Sequence, residues 1–305
     1  MALFTKLKVW KTLLTRTCST QSELTLVTKQ NGVKRIVLNN PKKRNALSSA
    51  MLQKLNDDIF EGVDDINLRC IVLESKGPVF SSGHDLKEIR QLDSKKQEEI
   101  FTKSSSLMVG LRHLPVPVIA VVNGLATAAG CQLVASCDIT IASSKSQFST
   151  PGASVGLFCS TPGVAVSRNV PLKMASYMLL TGNNLNANEA LQCGLVSKIA
   201  EEHELDVEVE KVLNSLLCKS RSVLALGKKL FYDQLDKSIE EAYRMATNTM
   251  VENLKFEDTK EGISAFFEKL SSYLQPTTKC YSQAKEHYEL FCTKLIGTLC
   301  FSNMN

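Results

Sequence analysis

One stretch limits what this chain can fold into more than any other. Val118 to Val122 is a short apolar run. Asn123-Gly124-Leu125-Ala126-Thr127-Ala128-Ala129-Gly130 follows, made almost entirely of small residues, and Cys131 to Asp138 then reads as a helix start. A strand that feeds such a turn brings bare backbone against whatever occupies it. The first N–H groups of the helix have no intrahelical partner. Small side chains leave them uncovered, so they can hold negative charge, including charge that develops on a carbonyl oxygen. Gln132 stands where an acid would be expected if the site carried out acid–base chemistry.

The flanking pattern is α/β. Val33–Leu38, Cys70–Glu74, Val118–Val122, Ile139–Ala142 and Leu195–Ile199 read as strands. Between them, Ser48–Val63 reads as an amphipathic helix capped by Ser48 or Ser49, and Lys95–Arg112 as a long polar helix ended by Pro115 and Pro117. Phe80–Leu86 is a tight loop entering a helix, and Phe148–Pro162 is loop-rich. Ala165–Leu180 and Ala187–Cys193 read as helices, the second stopped by Gly194, and the chain is largely helical from Leu205. Strands alternating with helices favour crossover connections over a sandwich.

Charge concentrates at one end. Met1–Thr20 carries Lys6, Lys8, Lys11 and Arg16 and no acid, with Leu3, Phe4, Leu7, Trp10, Leu13 and Leu14 at helical spacing. That pattern predicts a mitochondrial transit peptide over residues 1–20, cut near Cys18 or Ser19. Without those four cations, 32 basic residues face 31 acidic ones, so bulk charge does not call for nucleic acid. No apolar run reaches the roughly 18 residues of a membrane span. The ten cysteines form no C-x-x-C and the four histidines are dispersed, so no metal site is expected. Cysteines inside apolar runs suit a reducing compartment such as the mitochondrial matrix.

Six segments at consistent spacing carry a resemblance. They are Asn39-Asn40-Pro41…Asn45-Ala46-Leu47, Phe80-Ser81-Ser82-Gly83-His84-Asp85-Leu86, the Asn123–Ile139 stretch, Phe148…Pro151-Gly152, Leu157…Pro162-Gly163 and Ala187…Gly194-Leu195-Val196. Over about Leu24 to Lys269 the chain resembles the enoyl-CoA hydratase/isomerase superfamily, the crotonase fold. The resemblance implies an α/β spiral of ββα units at 21–204, a C-terminal helical oligomerisation region at 205–269 and a homotrimer or hexamer. It also implies an acyl-CoA thioester as ligand or substrate, with no other cofactor. Matched by motif, the oxyanion-holding N–H groups belong to His84 and Ala129. The CoA end would meet Lys43, Arg44 and Ala46 in the loop Lys42–Leu47, while Phe266 and Lys269 match positions that reach a neighbouring subunit's ligand.

The departures from the family are as informative. Its hydratases use two glutamates to position water and move a proton; here those positions are Gln132 and Gly152. From Ile100 to Asn188 the only acid is Asp138, which the family pattern makes structural. His84 is the remaining weak candidate for a catalytic side chain. Glu88 is read as a solvated helix residue, and Cys131, beside the helix start, as a core residue more than an activated thiol. Ser149, Thr150, Ser160 and Thr161 lack an evident base.

These observations imply a mitochondrial acyl-CoA-binding protein of fatty-acid metabolism without hydratase activity. Two alternatives stand beside it. One is an acyl-CoA isomerase or thioesterase using the oxyanion donors with His84 or water. The other is a non-enzymatic interaction or RNA-binding protein, disfavoured by the neutral body. A Gln132→Glu, Gly152→Glu double variant is the natural comparison in a crotonyl-CoA hydration assay. The tail at 270–305 departs from the family and is expected to be poorly anchored, or to hold a separate helix near Tyr281–Leu299.

Overall fold

The computed structural model describes residues 23–268. The transit-like segment, Lys269 and the tail with its suggested helix lie outside the described residues.

Strands come in pairs that feed different sheets. The chain opens with β1 (Thr25–Gln30), β2 (Val33–Leu38) and α1 (Ser49–Phe60). The next turn of the spiral is β3 (Cys70–Ser75), β4 (Val79–Ser81), α2 (Leu86–Ile89) and α3 (Ser94–His113). Then come β5 (Val118–Val122), β6 (Leu125–Thr127) and α4 (Ala129–Ser136). They are followed by β7 (Ile139–Ser143), β8 (Gln147–Ser149), α5 (Ser160–Val166) and α6 (Leu172–Thr181). The last turn holds β9 (Leu185–Asn186), α7 (Ala187–Gln192) and β10 (Lys198–Ala200). β1 and β2 open a six-stranded sheet, β1-β2-β3-β5-β7-β10; in the next three pairs the first strand joins that sheet and the second joins a four-stranded sheet, β4-β6-β8-β9, an order that the last turn reverses. Apart from the β1–β2 and β8–β9 pairs, all the pairings are parallel.

The alternation of β5 shows why the large sheet is buried on both sides. Val118, Ala120 and Val122 face the main core, with Leu52, Leu55, Leu107 and Leu111 from α1 and α3. Ile119 and Val121 face the other way, against Leu205, Val209, Leu213 and Leu217. Those four lie on one stripe of α8 (Leu205–Leu217). The C-terminal helices continue as α9 (Arg221–Asp233), α10 (Ile239–Asn253) and α11 (Glu257–Glu268).

A polar clamp docks α9 on the spiral. Asp138 accepts from the Val118 N–H at 2.6 Å, Lys228 Nζ at 2.6 Å and the Tyr232 hydroxyl at 2.7 Å. Lys228 also reaches the carbonyls of Leu111 at 2.8 Å and Val116 at 3.0 Å. Burial lowers the pKa of Lys228, and the Asp138 carboxylate opposes that shift. The single acid in the middle of the chain is thus committed to holding helix against sheet.

The structure corrects several element assignments. β1 was unread, and so were the three-residue strands β4, β6 and β8 that build most of the second sheet. The Phe148–Pro162 loop contains β8, a 3-10 turn at Pro151–Val155 and the start of α5. Ala165–Leu180 is two helices, because α5 ends at Val166 and Pro171 caps a new start. The strand expected at Leu195–Ile199 forms at Lys198–Ala200 instead. Leu195 and Val196 are apolar because the preceding turn is buried in the core.

Candidate functional site

Two loop-to-helix junctions meet at the end of the small sheet. At the first, β4 stops at Ser81 and the chain turns through Gly83 and His84 into α2, whose N-cap Asp85 accepts from the Lys87 and Glu88 N–H groups. Neighbouring backbone fixes this turn. Ser82 donates to the Arg44 carbonyl at 3.0 Å, and Leu47 donates to the Gly83 carbonyl at 2.8 Å. Ser81 Oγ donates to the Asn45 carbonyl at 2.8 Å. The His84 N–H has no hydrogen-bond partner among the described residues. At the second junction, β6 enters α4 through Ala128, held at φ 51°, ψ −122°. A residue with a Cβ rarely adopts that conformation, and such strain gathers at functional turns. Ala128 donates to the Ser149 carbonyl at 2.9 Å, and Ala129 opens the helix, so its N–H has no intrahelical acceptor.

The two junctions touch. Gly83 sits at φ +82°, and a Cβ there would lie 2.8 Å from Ala128 Cβ and 2.9 Å from the Ala129 nitrogen. Only glycine fits, and its bareness brings the residue next to His84 against the second N–H. The Ala129 N–H opens a helix with no acidic residue in its first turn, and the His84 N–H is free among the described residues; N–H groups of that kind can polarise a carbonyl oxygen.

Neither residue 132 nor residue 152 supplies a carboxylate. Gln132 is 3 % exposed on the first turn of α4, and its Oε1 has no partner. Gly152 has no room for any side chain. A Cβ there would lie 2.0 Å from the Leu157 carbonyl oxygen and 2.8 Å from Cys159 Sγ. The loop is closed by the Leu157 N–H on the Gly152 carbonyl at 2.9 Å and by the Gly152 N–H on Cys159 Sγ at 3.3 Å. The Gly152→Glu half of the double variant is therefore not a simple restoration.

The His84 ring packs edge-on against Phe101 at 5.2 Å, and Nδ1 lies 3.4 Å from the Leu47 carbonyl oxygen. In the tautomer with the proton on Nδ1, the ring donates to that carbonyl and Nε2 keeps its lone pair. Nε2 is buried and unpartnered. Burial lowers the imidazole pKa, against weaker opposing effects of the Leu47 carbonyl and the Glu88 charge. Phe101 also lines an elongated groove of about 800 Å³ along α3, with Thr102, Ser105 and Val109.

Other candidates take different places. Glu88 does more than meet solvent, because its Oε2 accepts from the Ser49 N–H at 3.0 Å at the start of α1. Cys131 is fully buried and its thiol is pushed up to about 12, which makes it a core residue. Ser149 Oγ donates to Thr127 Oγ1 at 2.9 Å. Lys43 is exposed and lies 3.6 Å from Asp85, Arg44 is exposed at φ 52°, and Ala46 is buried beneath them. Phe266 is 66 % exposed on α11 beside Phe267, lining a separate apolar cleft with Val223 and Leu224 of α9. Sequence reading missed the buried Thr150 hydroxyl, which lacks a partner, and the role of Cys159 in closing the Gly152 loop. Both residues lie inside the motif segments around Phe148–Gly152 and Leu157–Gly163, but nothing in a linear string shows what their side chains meet.

The enoyl-CoA hydratase/isomerase family pattern matches residues 28–276. A mouse protein named enoyl-CoA hydratase domain-containing protein 3, mitochondrial, is 50 % identical over 250 residues, 82 % of this chain and 83 % of its own length. The crystal structure of human enoyl coenzyme A hydratase domain-containing protein 3 superposes with TM-score 0.80 at 50 % identity, covering 82 % of this chain and 99 % of that one. An enoyl-CoA hydratase structure from Mycobacterium smegmatis gives TM-score 0.81 at 41 % identity, covering 83 % and 100 %. The chain belongs to the enoyl-CoA hydratase/isomerase family and has the crotonase fold.

Proposed function

We propose that this chain is a mitochondrial acyl-CoA-binding protein of fatty-acid metabolism that holds a thioester oxygen on the His84 and Ala129 N–H groups without hydrating enoyl-CoA. The observation that supports this reading is the close approach of the two junctions, where a Cβ on Gly83 would lie 2.9 Å from the Ala129 nitrogen. Beside them, Gln132 has no carboxyl group and position 152 has no space for one. The CoA phosphates would meet exposed Lys43 and Arg44, since both residue types bind phosphate. The acyl chain is assigned to the apolar part of the α3 groove, which Phe101, the ring packed against His84, helps to line. Mitochondrial placement rests on the acid-free basic N-terminus and on the names of the relatives. We infer a homotrimer or hexamer built on the C-terminal helices, where Phe231, Leu235, Ile239, Met250 and Phe267 are each more than half exposed. Calorimetric titration with acyl-CoA tests the binding, and saturation with 1:1 stoichiometry per chain is the expected result.

One observation favours a second reading, an acyl-CoA isomerase or thioesterase. A neutral His84 whose Nε2 lone pair is buried and free has the form a general base needs. It could take the proton α to the carbonyl, leaving an enolate on the two N–H groups. Alternatively it could take a proton from water as that water attacks the thioester carbon and releases the CoA thiol. Turnover of a thioester panel that falls in His84→Ala would support it, and no turnover of any member would exclude it.

A further inference from the structure

Given the acyl-CoA reading above, on which this rests, we infer that Ser81 is a positioning residue that couples the Lys42–Leu47 loop to the two donor junctions. Filling that loop with the phosphate end of a thioester ligand then strengthens the hold on its carbonyl oxygen.

Three rungs join the loop to the first junction. Ser82 donates to the Arg44 carbonyl at 3.0 Å, Ser81 Oγ to the Asn45 carbonyl at 2.8 Å, and Leu47 to the Gly83 carbonyl at 2.8 Å. The middle rung reaches further than the other two. Ser81 Oγ also accepts from the Gly83 N–H at 3.2 Å, so one hydroxyl donates to the loop and accepts from the turn that carries His84. The same residue touches the second junction. A Cβ on Gly130 would lie 2.4 Å from the Ser81 carbonyl oxygen and 2.8 Å from Ser81 Cβ, so the first turn of α4 packs directly on Ser81. Ser81 is fully buried, which keeps bulk water from replacing either hydrogen bond.

The loop is stiff on its own side. Arg44 and Asn45 stand at φ 52° and 50°, consecutive left-handed residues that both carry a Cβ. The buried Asn45 side chain holds them there. Its Oδ1 accepts from the Asn40 N–H at 2.8 Å, and its Nδ2 donates to the carbonyls of Lys76 at 3.0 Å and Val79 at 2.8 Å. Arg44 is exposed, so an anion can meet its guanidinium while its carbonyl stays on the Ser82 N–H. N–H donors polarise a carbonyl oxygen well only when they are fixed beforehand. A misplacement of about 1 Å can cost about 100-fold in rate, so the fixing matters. An anion on Arg44 steadies the loop, and the Ser81 hydroxyl passes that restraint to the Gly83 turn. Removing the hydroxyl leaves the Gly83 N–H buried without its acceptor, at a cost in stability and order. The backbone rungs at Ser82 and Leu47 remain and keep the fold.

The test is the infrared stretch of an isotope-labelled carbonyl in butyryl-CoA bound to the full chain, recorded beside the calorimetric affinity. In the unaltered chain the band is expected below its free-ligand frequency. In Ser81→Ala it moves back towards the free value, and affinity falls about fivefold, the worth of one ordinary hydrogen bond. Arg44→Ala also moves the band back, but by less when residue 81 is already alanine, because the two changes share one route. A purely structural Ser81 would lower the urea midpoint and leave the bound carbonyl band in place. Folding is checked by circular dichroism, and Ser81→Cys, a weaker donor, replaces Ser81→Ala if that variant does not fold. An unmoved band in the folded variant would overturn the positioning role. An Arg44→Ala shift that is absent, or equal with and without the Ser81 hydroxyl, would overturn the coupling. Binding with no downshift in the unaltered chain would overturn the hold on the carbonyl and the coupling with it. Failure of butyryl-CoA to bind the unaltered chain would overturn the proposed function itself.

Discussion

The Leu157 carbonyl oxygen occupies the space that a side chain on residue 152 would need, 2.0 Å from where its Cβ would stand. This is a property of the loop more than of the residue. The Leu157 N–H bonds back to the Gly152 carbonyl, so the backbone folds across position 152.

Gly152→Ala should therefore destabilise the protein by about 1–3 kcal/mol, the range for overpacking in a tight interior. Gly152→Glu should cost more and should not create hydratase activity, alone or with Gln132→Glu. Urea denaturation of each variant measures the first effect. A Gly152→Ala midpoint equal to that of the unaltered chain would show that the loop opens freely.

Lys228 and Asp138 form a partly buried ion pair, with side chains only 8 % and 15 % exposed. Removing one partner leaves the other charge without its match, typically a loss of about 3–5 kcal/mol. Lys228→Met should lose that much in denaturant unfolding. Exchange-detected protection of α9 should fall with it, because Lys228 bridges the helix to the Leu111 and Val116 carbonyls.

His84 gives a stability change with a definite sign. Burial holds its folded-state pKa below the ordinary value of 6.5. The unfolded chain therefore takes up the proton at higher pH than the folded one. The stabilising contribution is complete above about 6.5 and is lost as pH falls through the lower, folded-state value. The urea midpoint measured from pH 7.5 down to 5 should decline less steeply in His84→Phe than in the unaltered chain.

Assembly gives a mass prediction. Multi-angle light scattering of the purified chain should return three or six times the protomer mass. Phe231→Glu, on the exposed face of α9, should shift the population towards monomer. A monomer for the unaltered chain would contradict the oligomer.

The sequence made half of each repeating unit legible. β3, β5 and β7 are buried on both faces and read as largely apolar runs, and β2 is bounded by apolar residues around Lys34 and Arg35. Their partners β4, β6 and β8 are three residues long and lie among glycines and serines, too short for a periodicity to emerge. Helices with caps were located closely, as with Ser48 accepting from Met51 at the start of α1. At the site, the small-residue turn before α4 is visible in a linear string, while the choice of His84 and Ala129 comes from the motif positions of the family resemblance. The closure of the Gly152 loop and the unpartnered Thr150 hydroxyl were not visible, because both depend on residues that only folding brings together.

The most direct test pairs two readings on one preparation: calorimetric binding of an acyl-CoA and hydration of crotonyl-CoA followed by loss of enoyl absorbance. The account predicts saturable binding, weakened when Gly83→Ala pushes a methyl group against the Ala129 nitrogen, together with hydration no faster than the buffer background. Hydration at rates typical of enzymes, roughly 1–1,000 per second, would contradict it.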